Sequence, residues 1–274
     1  MLDFKVNQHT CTKCGQCVAD CLPKIISMAE DGPCIAPEQE TSCYRCQHCF
    51  TICPTGSISL FGLDPHKSSL LKGNLPDDGQ MELLVKGRRS VRQYKDENLE
   101  PEILQRLLDV ACHAPTGRNV RPVRFTVVDD RAKLARVREE VMTGLGRIVR
   151  ANALPPGREY FAEIYRLWNE EGVDTLFRNA PHLLVVSAHK EAPCPVQDCL
   201  IAMTTFELFA QTLGVGTVWD GLVNWAFSGL MPEFRTRLGI PEEHLIGYSM
   251  VFGKPAVHYA RTAQRGPASV HRVD

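Results

Sequence analysis

The sequence predicts an α+β protein made of a small N-terminal domain that is rich in cysteine and a larger domain of mixed helices and strands. Eight of the 12 cysteines form two closely spaced runs within residues 11–53. From Met81 onward, helical periodicity alternates with β-rich segments. Residues 63–80 lie between these regions and are rich in Pro, Gly, Ser and Asp, which is typical of a linker. We therefore divide the chain into residues 1–62, 63–80 and 81–274.

The overall composition is that of an ordinary globular protein and excludes several classes of partner. Hydrophobic residues make up 44% of the chain and charged residues 23%, with a net charge of −1. A nearly neutral chain is not expected to bind nucleic acid or an anionic membrane. No apolar run approaches the roughly 20 residues of a membrane span, and the first residues do not read as a signal peptide. The expected location is the cytoplasm.

The two cysteine runs share one spacing, C-x2-C-x2-C-x3-C. The first is Cys11, Cys14, Cys17 and Cys21, and the second is Cys43, Cys46, Cys49 and Cys53, followed by Pro54. Bacterial ferredoxins hold two 4Fe–4S clusters by this spacing, and the fourth cysteine of each run ligates the other cluster. We therefore expect Cys53 to join the first three cysteines of the first run, and Cys21 to join those of the second. Zinc is the weaker alternative because it favours two separated pairs, and disulfides are rare in reducing compartments.

The N-terminal domain also reads as an internal repeat. Each cysteine run is followed by a short strand-like segment, and the segment after the first run contains Asp31-Gly32, a pair of residues typical of a hairpin turn. Two pseudo-symmetric halves would allow each run to give its fourth cysteine to the cluster held by the other run. Cys34 lies outside both runs, and we expect a buried small side chain there, with a ligand role as the alternative.

The second domain is predicted to contain four helices and four strands. A helix begins at Pro101, where proline suits the first turn, and its apolar residues recur at helical spacing. The apolar segment at 183–187 is expected to be a buried strand, and the helix at 196–213 is apolar on nearly all faces. The other helices are predicted at 130–149 and 158–170, and the other strands at 123–128, 215–219 and 245–252.

Two polar stretches of this domain are hard to explain as packing. The first, Arg88-Arg89-Ser90-Val91-Arg92, has three cations and a hydroxyl, and arginine forks match phosphate oxygens. The alternative is a solvated basic surface. The second stretch is Ala114–Pro122, a polar loop that contains two prolines. We expect both to meet a ligand.

In this order, the motifs resemble the nitroreductase family of FMN-dependent oxidoreductases. The resemblance covers about Met81 to Pro255 and includes R-R-S-x-R, A-P-[ST]-G-x-N, the turn at 213–217 and Gly253-Lys254-Pro255. The whole chain is similar to the ferredoxin-fused branch of that family. The resemblance implies an intertwined homodimer with FMN at two interface sites.

The resemblance also assigns site residues. It implies that FMN is bound by Arg88, Arg89, Ser90, Arg92, Pro115, Thr116, Gly117, Asn119, Gly253, Lys254 and Arg261. Trp219, Asp220 and Gly221 match the segment whose backbone approaches the reacting edge of the flavin, and we treat them as catalytic candidates.

The expected function joins the two domains. A 4Fe–4S cluster passes single electrons, whereas FMN stores two and can release them as a hydride. We expect electrons to pass from a ferredoxin or other low-potential donor, or from NAD(P)H, through two clusters to FMN. The expected acceptor is a small organic molecule such as a nitro compound, a quinone or an activated alkene. The alternatives are a reductive dehalogenase or enone reductase on the same scaffold, and a non-catalytic electron-transfer or redox-sensing protein.

Overall fold

The chain divides into two compact units in the computed structural model, which describes residues 2–273. The first unit extends to Pro76 and also contains Arg118–Val120. The second unit contains Asp77–Gly117 and the chain from Arg121 onward. No helix in the described range is long and apolar enough to cross a membrane.

The first unit consists of two small antiparallel strand pairs and two short helices. Strand β1 (Lys5–Val6) pairs with β4 (Ile58–Ser59), and β2 (Ile26–Ala29) pairs with β3 (Gly32–Ile35). The helices are α1 (Gln16–Asp20) and α2 (His48–Thr51), and a 3-10 helix covers Pro37–Ser42. The β2–β3 hairpin turns at Glu30 and Asp31, so the turn expected near Asp31-Gly32 is present.

The backbone of the first unit repeats with the two cysteine runs. Three pairs of residues at equivalent positions in the two runs adopt positive φ, a conformation that non-glycine residues seldom adopt. The pairs are Lys13 and Arg45 (φ 53° and 52°), Gly15 and Gln47 (76° and 62°), and Lys24 and Gly56 (55° and 61°). The two halves therefore bend the chain in the same way around each set of cysteines.

Cys34 is exposed, so the expectation of a buried side chain was wrong. It lies on β3, where its neighbour Pro33 is buried. Successive side chains of a strand point to opposite faces, and Cys34 consequently faces outward, with its Sγ 3.3 Å from Ser27 Oγ.

The second unit is built on a four-stranded antiparallel sheet in the order β5-β6-β8-β7. The strands are β5 (Val123–Val128), β6 (His182–His189), β7 (Gly216–Trp219) and β8 (His244–Gly253). All four lie at the predicted places. The two central strands extend further than the sequence indicated, because β6 and β8 pair along nearly their whole length.

Helices cover both faces of this sheet. Alternate residues of the central strands enter two cores: Leu183 and Val251 pack on one side, and Leu184 and Phe252 pack on the other. This double burial explains why β6 is apolar without alternation. The first core includes side chains of α5 (Arg131–Arg150) and α6 (Tyr160–Glu171), and the second includes those of α4 (Pro101–Ala111) and α7 (Pro195–Thr212).

The remaining helices are short or lie outside both cores. Helix α3 (Asp78–Gly87) begins three residues before the predicted domain start, because the Asp77 carboxylate accepts a hydrogen bond from Gln80 N at 2.7 Å and caps it. Residues 78–80, which the sequence placed in the linker, are therefore helical. Helix α8 (Gly221–Trp225) continues into a π-helical turn at Ala226–Leu230, and α9 (Glu233–Arg237) follows.

Candidate functional site

The first unit contains two pockets lined by cysteines. One has an empty volume of about 330 Å³, and its lining includes Cys11, Cys14, Cys17 and Cys53. The other has an empty volume of about 360 Å³, and its lining includes Cys21, Cys43, Cys46 and Cys49. We call them pocket 1 and pocket 2. Each pocket combines three cysteines of one run with the fourth of the other, which is the grouping that the spacing predicts.

The cysteines surround these pockets without converging on one point. Across residues 2–273, no three His, Cys, Asp or Glu side chains are grouped closely enough to hold a single metal ion.

Two of these cysteine sulfurs lie in different electrostatic surroundings. Burial, with smaller contributions from the neighbouring cysteines, raises the pKa of the Cys49 thiol to about 12, although a hydrogen bond from Phe50 N acts against the rise. Burial also acts on Cys53, but hydrogen bonds from Thr55 and Ser57 outweigh it and lower the pKa of Cys53. The Cys53 thiolate is therefore the better stabilised of these two.

In the second unit, a buried carboxylate organises the basic stretch. Glu207 on α7 is only 5% exposed, and it accepts hydrogen bonds from Arg88 Nη1 at 3.1 Å, Thr217 Oγ1 at 3.3 Å and Trp219 Nε1 at 2.9 Å. Arg88 is thus ion-paired on one side and 27% exposed. Glu207 therefore fixes Nη1 of Arg88, while the rest of the guanidinium group still reaches the surface.

Arg88 and Arg89 line an open pocket with an empty volume of about 760 Å³, which we call the arginine pocket. Its other walls are the turn at 214–217 and residues 255–259. The two guanidinium groups give this pocket a positive, anion-accepting character.

The rest of the basic stretch runs beside β7. Ser90 forms a parallel bridge with Thr217, and Val91 N donates to Thr217 O at 2.9 Å. Tyr259 Oη donates to Ser90 O at 3.0 Å. Arg92 is exposed. This pairing fixes the backbone from which Arg88 and Arg89 project.

The C-terminal basic residues are less closely gathered. Lys254 Nζ pairs with Glu97 Oε1 at 3.3 Å, and Arg261 is exposed. Gly253 is explained by packing, because a Cβ at this position would lie 2.4 Å from Pro181 Cγ. Neither Lys254 nor Arg261 lines the arginine pocket.

The polar loop divides between the two units. In the second unit, Gly117 N donates to the buried Asp198 carboxylate at 2.9 Å, and Thr116 Oγ1 accepts from Arg121 N at 3.0 Å. Pro115 is exposed. Asn119 is grouped with the first unit, and its Nδ2 donates to Tyr44 O at 3.0 Å.

The catalytic candidates form the junction of β7 and α8. Trp219 ends β7, and Gly221 begins α8. Asp220, only 2% exposed, caps α8 by accepting from Val223 N at 3.0 Å. Burial raises the pKa of Asp220 to about 6, although the Val223 hydrogen bond and Arg178 act against the rise. Asp220 N donates to Ser249 O at 2.8 Å.

The sequence analysis missed Glu207, Thr217 and Tyr259. Glu207 could have been found from its position, because it is the single glutamate of an apolar helix and a buried charge there needs a partner. Thr217 lies within the predicted turn at 213–217 but carries no separate signal, and Tyr259 has none in its local sequence.

The arrangement of the second unit is shared with known proteins. Residues 85–254 match the model of the nitroreductase family. A protein of Methanothermobacter thermautotrophicus, provisionally named an NADH dehydrogenase/NAD(P)H nitroreductase, is 28% identical over 192 residues, which is 68% of this chain and 83% of that protein. An iodotyrosine deiodinase of Thermotoga neapolitana is 30% identical over 138 residues, covering 49% of this chain and 70% of that protein.

Solved structures show the same fold. A nitroreductase with bound FMN from Desulfitobacterium hafniense superposes with a TM-score of 0.56 at 26% identity, covering 72% of this chain and all of that one. The family model spans more than half of the chain, and the fold of the second unit is the nitroreductase-like α+β fold. The chain therefore belongs to the nitroreductase family and is an oxidoreductase.

Proposed function

We propose that this protein is an FMN-dependent reductase that receives its electrons through two 4Fe–4S clusters bound in the same chain. The observation that carries the proposal is that a pair of cysteine pockets and a nitroreductase-like unit occur in one chain. The first unit would supply single electrons, and the second would use them on an organic acceptor.

The cysteine pockets fit 4Fe–4S clusters in donor set and grouping. Each offers four thiolate ligands, three from one run and one from the other. A cube has its irons at separate corners, so its four thiolate ligands surround it, and four cysteines line each pocket here. The repeated positive-φ residues turn backbone N–H groups in the manner of anion-binding nests, which also occur at iron–sulfur sites.

The small core of the first unit supports the same conclusion. Its described apolar clusters contain only six buried side chains: Leu2, Cys21, Ile25, Ile26, Phe50 and Leu60. Units below roughly 80 residues seldom fold on such a core without a disulfide or a metal. Because its cysteines are all free, the clusters would provide that stabilisation.

The second unit fits FMN through the arginine pocket. Arg88 and Arg89 would hold the phosphate, and the Trp219–Gly221 segment would approach the flavin ring. Bound FMN exchanges electrons singly and passes them on in pairs. Ser90, Arg92, Thr116, Asn119, Lys254 and Arg261 are proposed as further contacts. A homodimer would complete the site, with the loop at 115–119 contributed by the partner subunit.

The proposed acceptor is a small nitro compound, quinone or activated alkene, and the proposed donor is a ferredoxin or another low-potential carrier, with NAD(P)H as an additional possibility. The cytoplasm is the proposed location, because cysteines that must bind iron stay reduced there.

The first experiment tests the cofactors. Anaerobically purified protein should contain about eight irons per chain, the number in two four-iron clusters, together with FMN. Cys49→Ser should lose iron because Cys49 lines pocket 2. Cys34→Ser is the matched control and should keep the full iron content, because Cys34 lines neither pocket. Four irons or fewer in the unaltered protein would refute the two-cluster proposal.

The second experiment tests the flavin site. Arg88→Ala should weaken FMN binding about 10- to 100-fold, as expected for the loss of a charged hydrogen-bonding group. Arg136→Ala is the control, since Arg136 is an exposed arginine outside the arginine pocket. Dissociation constants come from quenching of flavin fluorescence. Equal affinities in the two variants would remove Arg88 from the site.

A second candidate function is reductive dehalogenation. The observation that favours it is the 30% identity with an iodotyrosine deiodinase, of which this chain covers 70%. Product analysis with a nitroaromatic and a halogenated phenol, under excess dithionite, separates the two reactions. Turnover of neither compound would leave the electron-relay interpretation.

A further inference from the structure

We propose that the two cysteine pockets hold their clusters at unequal reduction potentials, with pocket 1 the more easily reduced because Thr55 donates a hydrogen bond to Cys53. This inference rests on the proposed two-cluster function. It predicts which of the two sites has the higher reduction potential, and the matching cysteine spacing of the two runs cannot predict this.

The sulfur of Cys53 has two hydrogen-bond donors. Ser57 N donates to Cys53 Sγ at 3.2 Å, and Thr55 Oγ1 lies 3.6 Å from the same sulfur. A thiolate ligand has no proton to give, so the hydroxyl of Thr55 must be the donor in that contact.

Two further hydroxyls adjoin that of Thr55. Thr55 Oγ1 lies 2.6 Å from Ser57 Oγ, which lies 2.8 Å from Thr10 Oγ1. Ser57 is only 3% exposed, so its hydroxyl is satisfied within the protein. Because the Thr55 proton goes to the Cys53 thiolate, Thr55 accepts from Ser57, and the Thr10 proton is shared between Ser57 Oγ and Asn7 O, which is 3.4 Å away. A hydroxyl whose own oxygen accepts a hydrogen bond donates more strongly.

The equivalent cysteine of the other run has no such donors. In the second pocket, Pro23 and Ile25 follow Cys21 at the distances along the chain at which Thr55 and Ser57 follow Cys53. Neither has a side-chain donor, and proline also lacks an N–H. Among the hydrogen bonds of residues 2–273, none reaches Cys21 Sγ. In this pocket Arg45 N donates to Cys43 Sγ at 3.3 Å, and the backbone N–H of Phe50 bonds Cys49, as that of Val18 bonds Cys17 in pocket 1.

The linings of the two pockets do not themselves set an order, because each includes both polar and apolar side chains. Reduction adds one electron, and therefore one negative charge, to a cluster without making or breaking a ligand bond. Hydrogen-bond donors to a ligating sulfur stabilise that charge. The donors at Cys53 therefore make pocket 1 the first to accept an electron.

The test is an anaerobic redox titration of the complete holoprotein with dithionite, followed by electron paramagnetic resonance. The unaltered protein should show two reduction steps. Thr55→Val should lower the higher potential by about 28 mV, which corresponds to a roughly threefold fall in the equilibrium constant at about 59 mV per tenfold for one electron. The lower potential should not move.

Two further variants make the test specific. Pro23→Thr places a hydroxyl beside Cys21 and should raise the lower potential only. Thr12→Val is the matched control, because Thr12 lines pocket 1 without a hydrogen bond to any cysteine in the described structure; both potentials should stay in place.

The outcomes separate this inference from the proposed function. Four irons or fewer per chain refutes the proposed function, and the inference with it. With full iron content, the inference alone is overturned if Thr55→Val shifts the lower potential, shifts neither, or shifts both equally.

Discussion

Replacing Glu207 by alanine should destabilise the second unit severely and disturb the arginine pocket. The substitution removes the acceptor of three donors, from Arg88, Thr217 and Trp219. The deletion leaves the donors of Thr217 and Trp219 without an acceptor and removes the ion pair of Arg88, which together cost about 3–5 kcal/mol. For a unit of roughly 150–250 residues, that loss lowers the melting temperature by about 6–20 °C.

Thermal unfolding followed by tryptophan fluorescence measures this effect in the right part of the chain. All three tryptophans, Trp168, Trp219 and Trp225, belong to the second unit. The fluorescence transition therefore reports that unit even if the first unfolds separately. Glu207→Gln should lie between the two extremes, because the amide keeps an acceptor oxygen but loses the charge.

Thr204→Ala is the control, because Thr204 is exposed on the same helix and bonds only the backbone of Leu200. It should change stability by no more than about 0.5 kcal/mol. A melting temperature for Glu207→Ala within about 2 °C of the unaltered protein, which is the effect of about 1 kcal/mol or less, would refute the reasoning. Glu207 would then contribute little to stability, and other contacts would position Arg88.

Two other predictions concern Asp220 and Gly253. The Asp220 pKa of about 6 lies above the ordinary 3.8, so the native state binds more protons than the unfolded state between about pH 4 and pH 6, and stability falls as the pH rises through that window. Asn at this position cannot ionise. The stability of Asp220→Asn relative to the unaltered protein should therefore rise by roughly 3 kcal/mol across the window, which is measured as a relative increase in its melting temperature. A constant difference from pH 4 to pH 7 would contradict this. Gly253→Ala forces a Cβ to within 2.6 Å of two ring atoms of Pro181 and should cost about 1–3 kcal/mol in thermal unfolding. The control Gly266→Ala has open space around it and should be neutral.

The sequence was most informative where a local pattern carries the chemistry. The spacing of the cysteine runs depends on a few neighbouring residues, and the structure groups Cys53 with the first run and Cys21 with the second, as predicted. The strands of the second unit were also predictable from local patterns. Alternating apolar residues indicate a strand that is buried on one face, and a short continuous apolar run indicates a strand that is buried on both. Whether clusters occupy the pockets stays a prediction.

The sequence was less informative where distant segments meet. The sequence predicts that Arg88 binds an anion, but it does not predict the ion pair with Glu207, which is 119 residues away along the chain. It assigned Gly253 to a cofactor motif, whereas the structure also gives it a packing role against Pro181. Cys34 was expected to be buried, but its position on β3 directs it outward.

The two-part organisation, the cysteine spacing and the family motifs can be read from the sequence, because each is encoded within a short segment. Tertiary packing is needed to establish which side chains hold the arginine fork and which hydroxyls lie near a cysteine sulfur. Thr10 and Ser57 lie at opposite ends of the first unit's sequence, and the pairing of β1 with β4 beside them brings their hydroxyls together. Such contacts depend on strand pairing and packing across the whole unit, and no local pattern of residues specifies them.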